Sequence, residues 1–152
     1  MIYTRLTKLA MNIAYKAHLG QTDRNGLPYI YHPMHLAEQM KTEDTCVVAL
    51  LHDVIEDTSI TLDDLREYGF TEKQLEAVWY MTHIIPDRSM TEEEKLEDYF
   101  AYVRKIRENE IARIVKLADL RHNSDETRLN KVTEKDVKRK EKYLKAIQIL
   151  TK

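Results

Sequence analysis

The sequence predicts an all-α fold, on three observations. Only three Gly and three Pro occur in 152 residues, too few for the tight turns of a sandwich or barrel. Apolar residues recur at helical spacing in successive segments. Ahead of several segments stands a hydroxyl residue followed three positions later by an acidic or amide side chain, the pattern that closes a helix start. The length suits one domain over residues 1–152, built as a single bundle of about seven or eight helices.

From Arg5 the apolar positions Leu6, Leu9, Ala10, Ile13, Ala14 and Ala17 define a first amphipathic helix, with Gly20 as its left-handed stop. Residues 20–32 (GQTDRNGLPYIYH) hold Asn25-Gly26 and Pro28, so the chain turns and runs extended before Pro33 opens a short second helix. A third helix runs from about Asp44 through CVVALLHDVIED and stops at Thr58-Ser59. Thr61 with Asp64, Thr71 with Gln74 and Thr91 with Glu94 start three more, and Pro86 with the polar DRSM stretch makes a flexible loop between the last two. Asn109 caps a helix through IARIVKLADLRHN, and Thr133 caps the final one through Tyr143, Ile147 and Leu150.

Composition removes several functions. With 24 basic against 26 acidic residues the formal charge is −2, without the positive excess of a nucleic-acid binder. No run of about eighteen uncharged apolar residues exists to span a membrane. The single Cys46 leaves neither an internal disulfide nor a CxxC pair, which places the chain in a reducing cytoplasm. The basic run from Lys131 to Lys145 is interleaved with Glu134, Asp136 and Glu141 and reads as a solvated face. Met34, Met40, Met81 and most of the nine tyrosines fall within the expected helices and read as packing.

The chemistry concentrates in Val47 to Asp57. Projected at about 100° per residue, Val47, Val48, Leu50, Leu51, Val54 and Ile55 fall in one sector, and Ala49, His52, Asp53, Glu56 and Asp57 in the other. Three carboxylates and an imidazole without a compensating cation, near a helix C-terminus whose dipole opposes them, call for a cation in front of them. Imidazole with carboxylate oxygen suits manganese, iron or zinc better than calcium. Two adjacent ligands are too few, so the chain supplies others. His32, at the end of the turn-rich loop, is favoured over His35, which reads equally as a helix-surface residue. Asp119 shares a helix stripe with Ala112, Lys116 and Asn123, beside an apolar row of Ile111, Ile114, Val115 and Ala118. Lys116 and Asp119 also read as a plain i,i+3 ion pair.

The order of these signals resembles the HD superfamily of metal-dependent phosphohydrolases. It is closest to the RelA/SpoT-type hydrolase domain and its small stand-alone relatives, which remove the 3′-pyrophosphate of the stringent-response alarmone (p)ppGpp. The resemblance rests on AYKAHLGQ (14–21), GLPYIYHP (26–33), ALLHDVIEDT (49–58) and VKLADLRHN (115–123), and covers roughly residues 5–130. It implies an HD-type helical bundle in which His32, His52, Asp53 and Asp119 ligate one divalent metal, usually Mn2+. It also implies that Glu56 and Asp57 position or activate the attacking water and that Asn123 lies near the nucleotide. Lys116 and Arg24 would hold outer phosphate oxygens, unless they serve as an ion pair and a solvated loop charge. His122 reads as a neighbour of the ligands. Asp23-Arg24 stands where the family usually has Arg-Lys, which keeps two other functions open: hydrolysis of another nucleotide or phosphoester, and a non-catalytic metal-stabilised nucleotide-binding or sensor module. A chain of this length is expected to carry no synthetase domain.

Overall fold

The computed structural model describes residues 1–85, 87 and 89–152; Pro86 and Arg88, on which the sequence places part of the central loop, lie outside them. Among the described residues the architecture is helical: α1 (Arg5–Ala17), α2 (Tyr31–Glu38), α3 (Glu43–Leu51), the single turn α4 (Val54–Asp57), α5 (Leu62–Tyr68), α6 (Glu72–Met81), α7 (Glu92–Ile106), α8 (Glu110–Asn123), a 3-10 turn (Glu126–Arg128) and α9 (Glu134–Thr151). Eight of these helices have seven residues or more, the upper end of the expected number. Among the described residues no helix is long and apolar enough to cross a membrane.

The caps read from the sequence all form. Thr61, Thr71, Thr91 and Thr133 each accept, at the side-chain hydroxyl, the backbone N–H three residues on, and each donates its own backbone N–H to the side chain of that residue, closing a capping box. Asn109 accepts from Ala112 N. Thr4 and Thr42, not foreseen from the sequence, also cap helices: Thr4 closes a capping box on α1, and the Thr42 hydroxyl accepts Thr45 N–H at the start of α3. Each such cap contributes about 1 kcal/mol.

The core forms around α3, whose residues from Thr45 to Leu51 are all buried and which packs against α1, α2, α6 and α8. A helix covered on every side must be apolar on every side, and each fully buried Leu or Val contributes about 1.5–3 kcal/mol. Ala49, expected on the polar sector, is therefore in the core. On α8, Val115 and Ala118 are buried as expected, but Ile114 is exposed and Leu120 takes the core position instead. Tyr15 and Tyr68, on expected helices and read as packing, are largely exposed.

Two boundaries differ from expectation. The second helix begins at Tyr31, so Pro33 sits inside its first turn, where no backbone N–H is needed. The third helix is not continuous to Asp57. It ends at Leu51 because the His52 imidazole donates from Nδ1 to the Ala49 carbonyl at 2.7 Å, satisfying one of the last-turn acceptors that a continued helix would have used. Asp53, at φ −106° and ψ 0°, is the N-cap of α4, and the ladder restarts with Asp57 N–H on its carbonyl. The His52-Asp53 pair thus lies at a corner, with both side chains clear of the helix cylinder.

The loop between α1 and α2 is a tight hairpin closed by the Thr22–Pro28 bridge. Gly26 takes φ 83° at its tip. The Asp23 carboxylate accepts Asn25 N–H at 2.8 Å and Leu27 N–H at 3.0 Å. These bonds hold the path of the chain into Tyr29 and His32.

Candidate metal centre

Three elements deliver the side chains the sequence singled out: α2 brings His32, the α3–α4 corner brings His52 and Asp53, and α8 brings Asp119. His32, His52 and Asp119 are each 5% exposed or less. Ligand atoms of His32, His52 and Asp53 lie within 4.8 Å of one another. His32 Nε2 is 2.8 Å from Asp119 Oδ1, and His52 Nε2 is 2.9 Å from Asp53 Oδ2 and 3.6 Å from Asp119 Oδ1. Four residues from three separate stretches of the chain therefore converge. His35 does not join them: it is exposed, its ring 4.2 Å from that of His122.

The donor set fits a divalent cation. Since His52 Nδ1–H is spent on Ala49 O, the neutral imidazole presents its lone pair at Nε2, which is buried without a hydrogen-bond partner beside two carboxylates. His32 Nδ1 meets His122 Nδ1 at 2.7 Å. Burial and the Arg128 charge lower His122 to about 4, so it is neutral and accepts. The His32 proton then sits on Nδ1, leaving Nε2 as an acceptor facing Asp119. Acceptors facing acceptors in a buried site need a positive charge among them, and two imidazoles with two carboxylates suit manganese, iron or zinc.

Asp119 is held from every side. Its Oδ1 accepts Asn123 Nδ2 at 3.0 Å and its Oδ2 accepts Lys116 Nζ at 2.9 Å. The i,i+3 ion pair is thus present, but with Lys116 12% exposed it is an interior pair. Breaking such a pair costs about 3–5 kcal/mol, well above a surface pair. Burial opposes ionisation of Asp119, and the Lys116 charge together with the adjacent His32 and His52 imidazoles outweighs it, holding the carboxyl well below its usual range.

Burial likewise opposes protonation of His52, but the charges of Asp53 and Asp119 prevail and hold its pKa well above the ordinary value. In metal-free protein that proton is the cation. Its stabilisation is complete below about pH 6.5 and is lost as pH rises through the elevated folded value. The Tm of chelator-treated protein is therefore expected to fall as pH rises from about 6.5 into the alkaline range, and added Mn2+ to restore it. A pH-independent Tm without metal would contradict this electrostatic account.

Glu56 and Asp57 stand one turn beyond the corner, at the solvent border. Partial withdrawal from water pushes Glu56 up to about 7, only partly offset by the hydrogen bond its Oε1 accepts from the His83 backbone N–H. Burial and the Asp53 charge raise Asp57 as well.

Several participants are not recognisable in the sequence. Tyr29, in the turn-rich loop and given no role from the sequence, donates its hydroxyl to Asp53 Oδ2. Its ring lies 4.8 Å from that of His18, which pairs through Nδ1 with Gln21 Oε1 at 2.9 Å. Gln21 Nε2 in turn donates to the Asp57 carbonyl at 3.0 Å. All three lie inside the quoted blocks AYKAHLGQ and GLPYIYHP, the one signal that could have pointed to them; the partners of Tyr29 and Gln21 at α4 are 24 and 36 residues away.

A cavity of about 380 Å3 adjoins the cluster through Tyr29, His32 and Asn123 and is lined further out by Arg24, Arg128 and Arg139. Arg24 Nη1 bonds Asp136 Oδ1 at 2.7 Å, and Arg139 Nη1 bonds the same oxygen at 3.2 Å. Arg24 is thus neither a free loop charge nor alone: α9 supplies its partner. Asp23 also lines the cavity, but its Oδ1 is committed to the hairpin and its Oδ2 faces Arg128 at 3.8 Å.

No family model matches the chain. It is similar to the bifunctional (p)ppGpp synthase/hydrolase SpoT of Escherichia coli (strain K12), 37% identical over 119 residues, which are 73% of this chain and 16% of that protein. It is 34% identical over 125 residues to a GTP pyrophosphokinase of Myxococcus xanthus, 78% of this chain and 16% of the relative. It is also 32% identical over 114 residues to a guanosine-3′,5′-bis(diphosphate) 3′-pyrophosphohydrolase of Aquifex aeolicus (strain VF5), again 72% against 16%. The chain thus spans about one sixth of the length of these curated relatives. Among solved structures, a metazoan ortholog of SpoT described as hydrolysing ppGpp shares the fold, with a TM-score of 0.77 at 21% identity over 99% of this chain and 88% of that one.

Proposed function

The chain is related to the RelA/SpoT-type (p)ppGpp hydrolases, and from that premise we propose that residues 1–152 act as one HD-type, metal-dependent phosphohydrolase domain. Its substrate is (p)ppGpp, from which it removes the 3′-pyrophosphate to leave GDP or GTP. The observation that carries this reading is the buried, unpartnered His52 Nε2, aimed among side chains from three separate elements.

In this mechanism His32, His52, Asp53 and Asp119 hold one divalent ion, Mn2+ by our reading. When bound, the ion lowers the pKa of a coordinated water and draws off charge from the phosphorus-bound oxygens. Glu56, with its carboxyl at about 7, accepts the proton of the attacking water near neutral pH. The water oxygen bonds to phosphorus, the bond from phosphorus to the ribose 3′-oxygen breaks, and a proton returns to the departing oxygen. Asp57, tied at its carbonyl by Gln21, orients the water. Tyr29 fixes the Asp53 carboxylate. Asn123 borders the nucleotide, and Arg24, with Arg139 beside it on Asp136, meets outer phosphate oxygens. Lys116 keeps Asp119 ionised and leaves one positive charge close to the reacting phosphate. The Asp23 charge, opposed by Arg128, does not bar a phosphate from the cavity. A single buried Cys46 without a partner accords with action in a reducing cytoplasm.

The test is release of pyrophosphate from ppGpp by the purified, Mn2+-loaded protein, alongside a panel of other nucleotides. Turnover of ppGpp is expected. Turnover of other nucleotides alone would move the substrate, and metal binding without any turnover would favour a sensor module.

A further inference from the structure

Glu56 receives a hydrogen bond from a backbone N–H, and that N–H belongs to the first extended residues after α6. Thr82 ends the helix at φ −84° and ψ 113°, which takes the following N–H groups out of the helical ladder. Two residues of α7, Asp98 and Tyr102, then fasten this segment. The Tyr102 hydroxyl donates to the Met81 carbonyl at 2.6 Å. Asp98 Oδ2 meets His83 Nε2 at 2.7 Å. The His83 ring stacks on Tyr102 at 4.5 Å between centroids, 20° from parallel. Asp98 and Tyr102 are one helical turn apart and so project from the same face of α7. His83 is thereby held at its ring, and the carbonyl of Met81 just before it is held as well. Its backbone N–H is left to point at Glu56 Oε1.

We propose that Asp98 and His83 form a positioning clamp for Glu56: they aim a backbone donor from the end of α6 at one carboxylate oxygen and leave the other free for the reacting water. The proposal rests on the assignment of Glu56 as the proton acceptor. Its physical content is orientational. A carboxylate free to rotate spends only part of its time in a reactive geometry, whereas one held at a single oxygen is presented in one orientation. A backbone donor cannot be deleted by substitution, but its anchors can.

In Asp98→Ala, kcat is expected to fall about tenfold, with KM and bound metal unchanged. Asp98→Asn, which keeps an acceptor for the His83 ring, is expected to restore most of the rate. In a Glu56→Gln background, Asp98→Ala is expected to cost nothing more, because the group it positions is already gone. An equal fold-loss in both backgrounds, or no loss in either, overturns the clamp. His83→Ala, at a partly exposed position, repeats the measurement should Asp98→Ala fold poorly. Amide hydrogen exchange separates this inference from the reaction assigned above. The His83 amide is expected to be protected in the wild type and to exchange faster in both Glu56→Ala and Asp98→Ala. If the wild type turns over no phosphate ester, the assigned reaction fails while this exchange pattern still decides the clamp, and unaltered exchange rejects it.

Discussion

Asp53→Ala is expected to leave the protein without its metal and without turnover. Asp53 is the one member of the cluster that faces both the corner and the solvent side, its Oδ2 2.9 Å from His52 Nε2 and receiving the Tyr29 hydroxyl. Alanine removes one of two carboxylates that offset a divalent charge, in a site where burial makes every uncompensated charge costly. Loss of a supporting hydrogen bond around a bound metal costs about 10–100-fold in affinity, and loss of a ligand itself is expected to exceed that. Metal content after desalting, read by elemental analysis, and the Tm gained on adding Mn2+ give the answer without any substrate. Equal metal content in wild type and Asp53→Ala would refute the ligand assignment.

Glu56→Gln is the complementary case: metal retained, rate lost. The amide cannot accept the water proton, so kcat is expected to fall on the order of 10²–10⁴-fold. The sign of the pH dependence follows from the carboxyl's position at about 7. The base works when ionised, so the wild-type rate rises with pH through about 7 and then levels, and this limb vanishes in the variant. Stability is expected to behave differently. A carboxyl raised in the folded state binds more protons there than in the unfolded chain between about pH 4.5 and 7, so its ionisation weakens the fold as pH rises through that window. The substituted amide carries no titratable proton, and the variant is expected to match or exceed wild-type Tm above pH 7. A lower Tm would contradict the raised carboxyl, and an unchanged rate would remove Glu56 from the mechanism.

These two substitutions probe residues that are legible in the chain itself, because the His52-Asp53 and Glu56-Asp57 pairs are close in sequence and their unbalanced charge is visible without coordinates. The surrounding shell is not. Tyr29, Gln21, His83 and Asp98 each act through a hydrogen bond to a residue 15 to 36 positions away, and nothing in local spacing distinguishes a tyrosine that packs from one that bonds a carboxylate. The helical projection of residues 47–57 places the right side chains on one wall but for an incomplete reason. It takes the helix as continuous, whereas the bond from His52 to Ala49 ends α3 and turns the corner.

By itself the sequence determined the helical class, most of the helix starts and which imidazoles and carboxylates are candidates to hold a metal. These follow from short-range rules: apolar residues at helical period, hydroxyls one turn ahead of their capping partners, and charged side chains whose burial must be compensated. Tertiary structure alone decided that His32 and Asp119, 87 residues apart, meet at 2.8 Å. It also turned Asp23 into a hairpin brace and paired Arg24 with α9. Packing around a fully buried α3 brings the helices to fixed distances, and only at those distances do orientation and electrostatics become specific enough to assign each polar atom its partner.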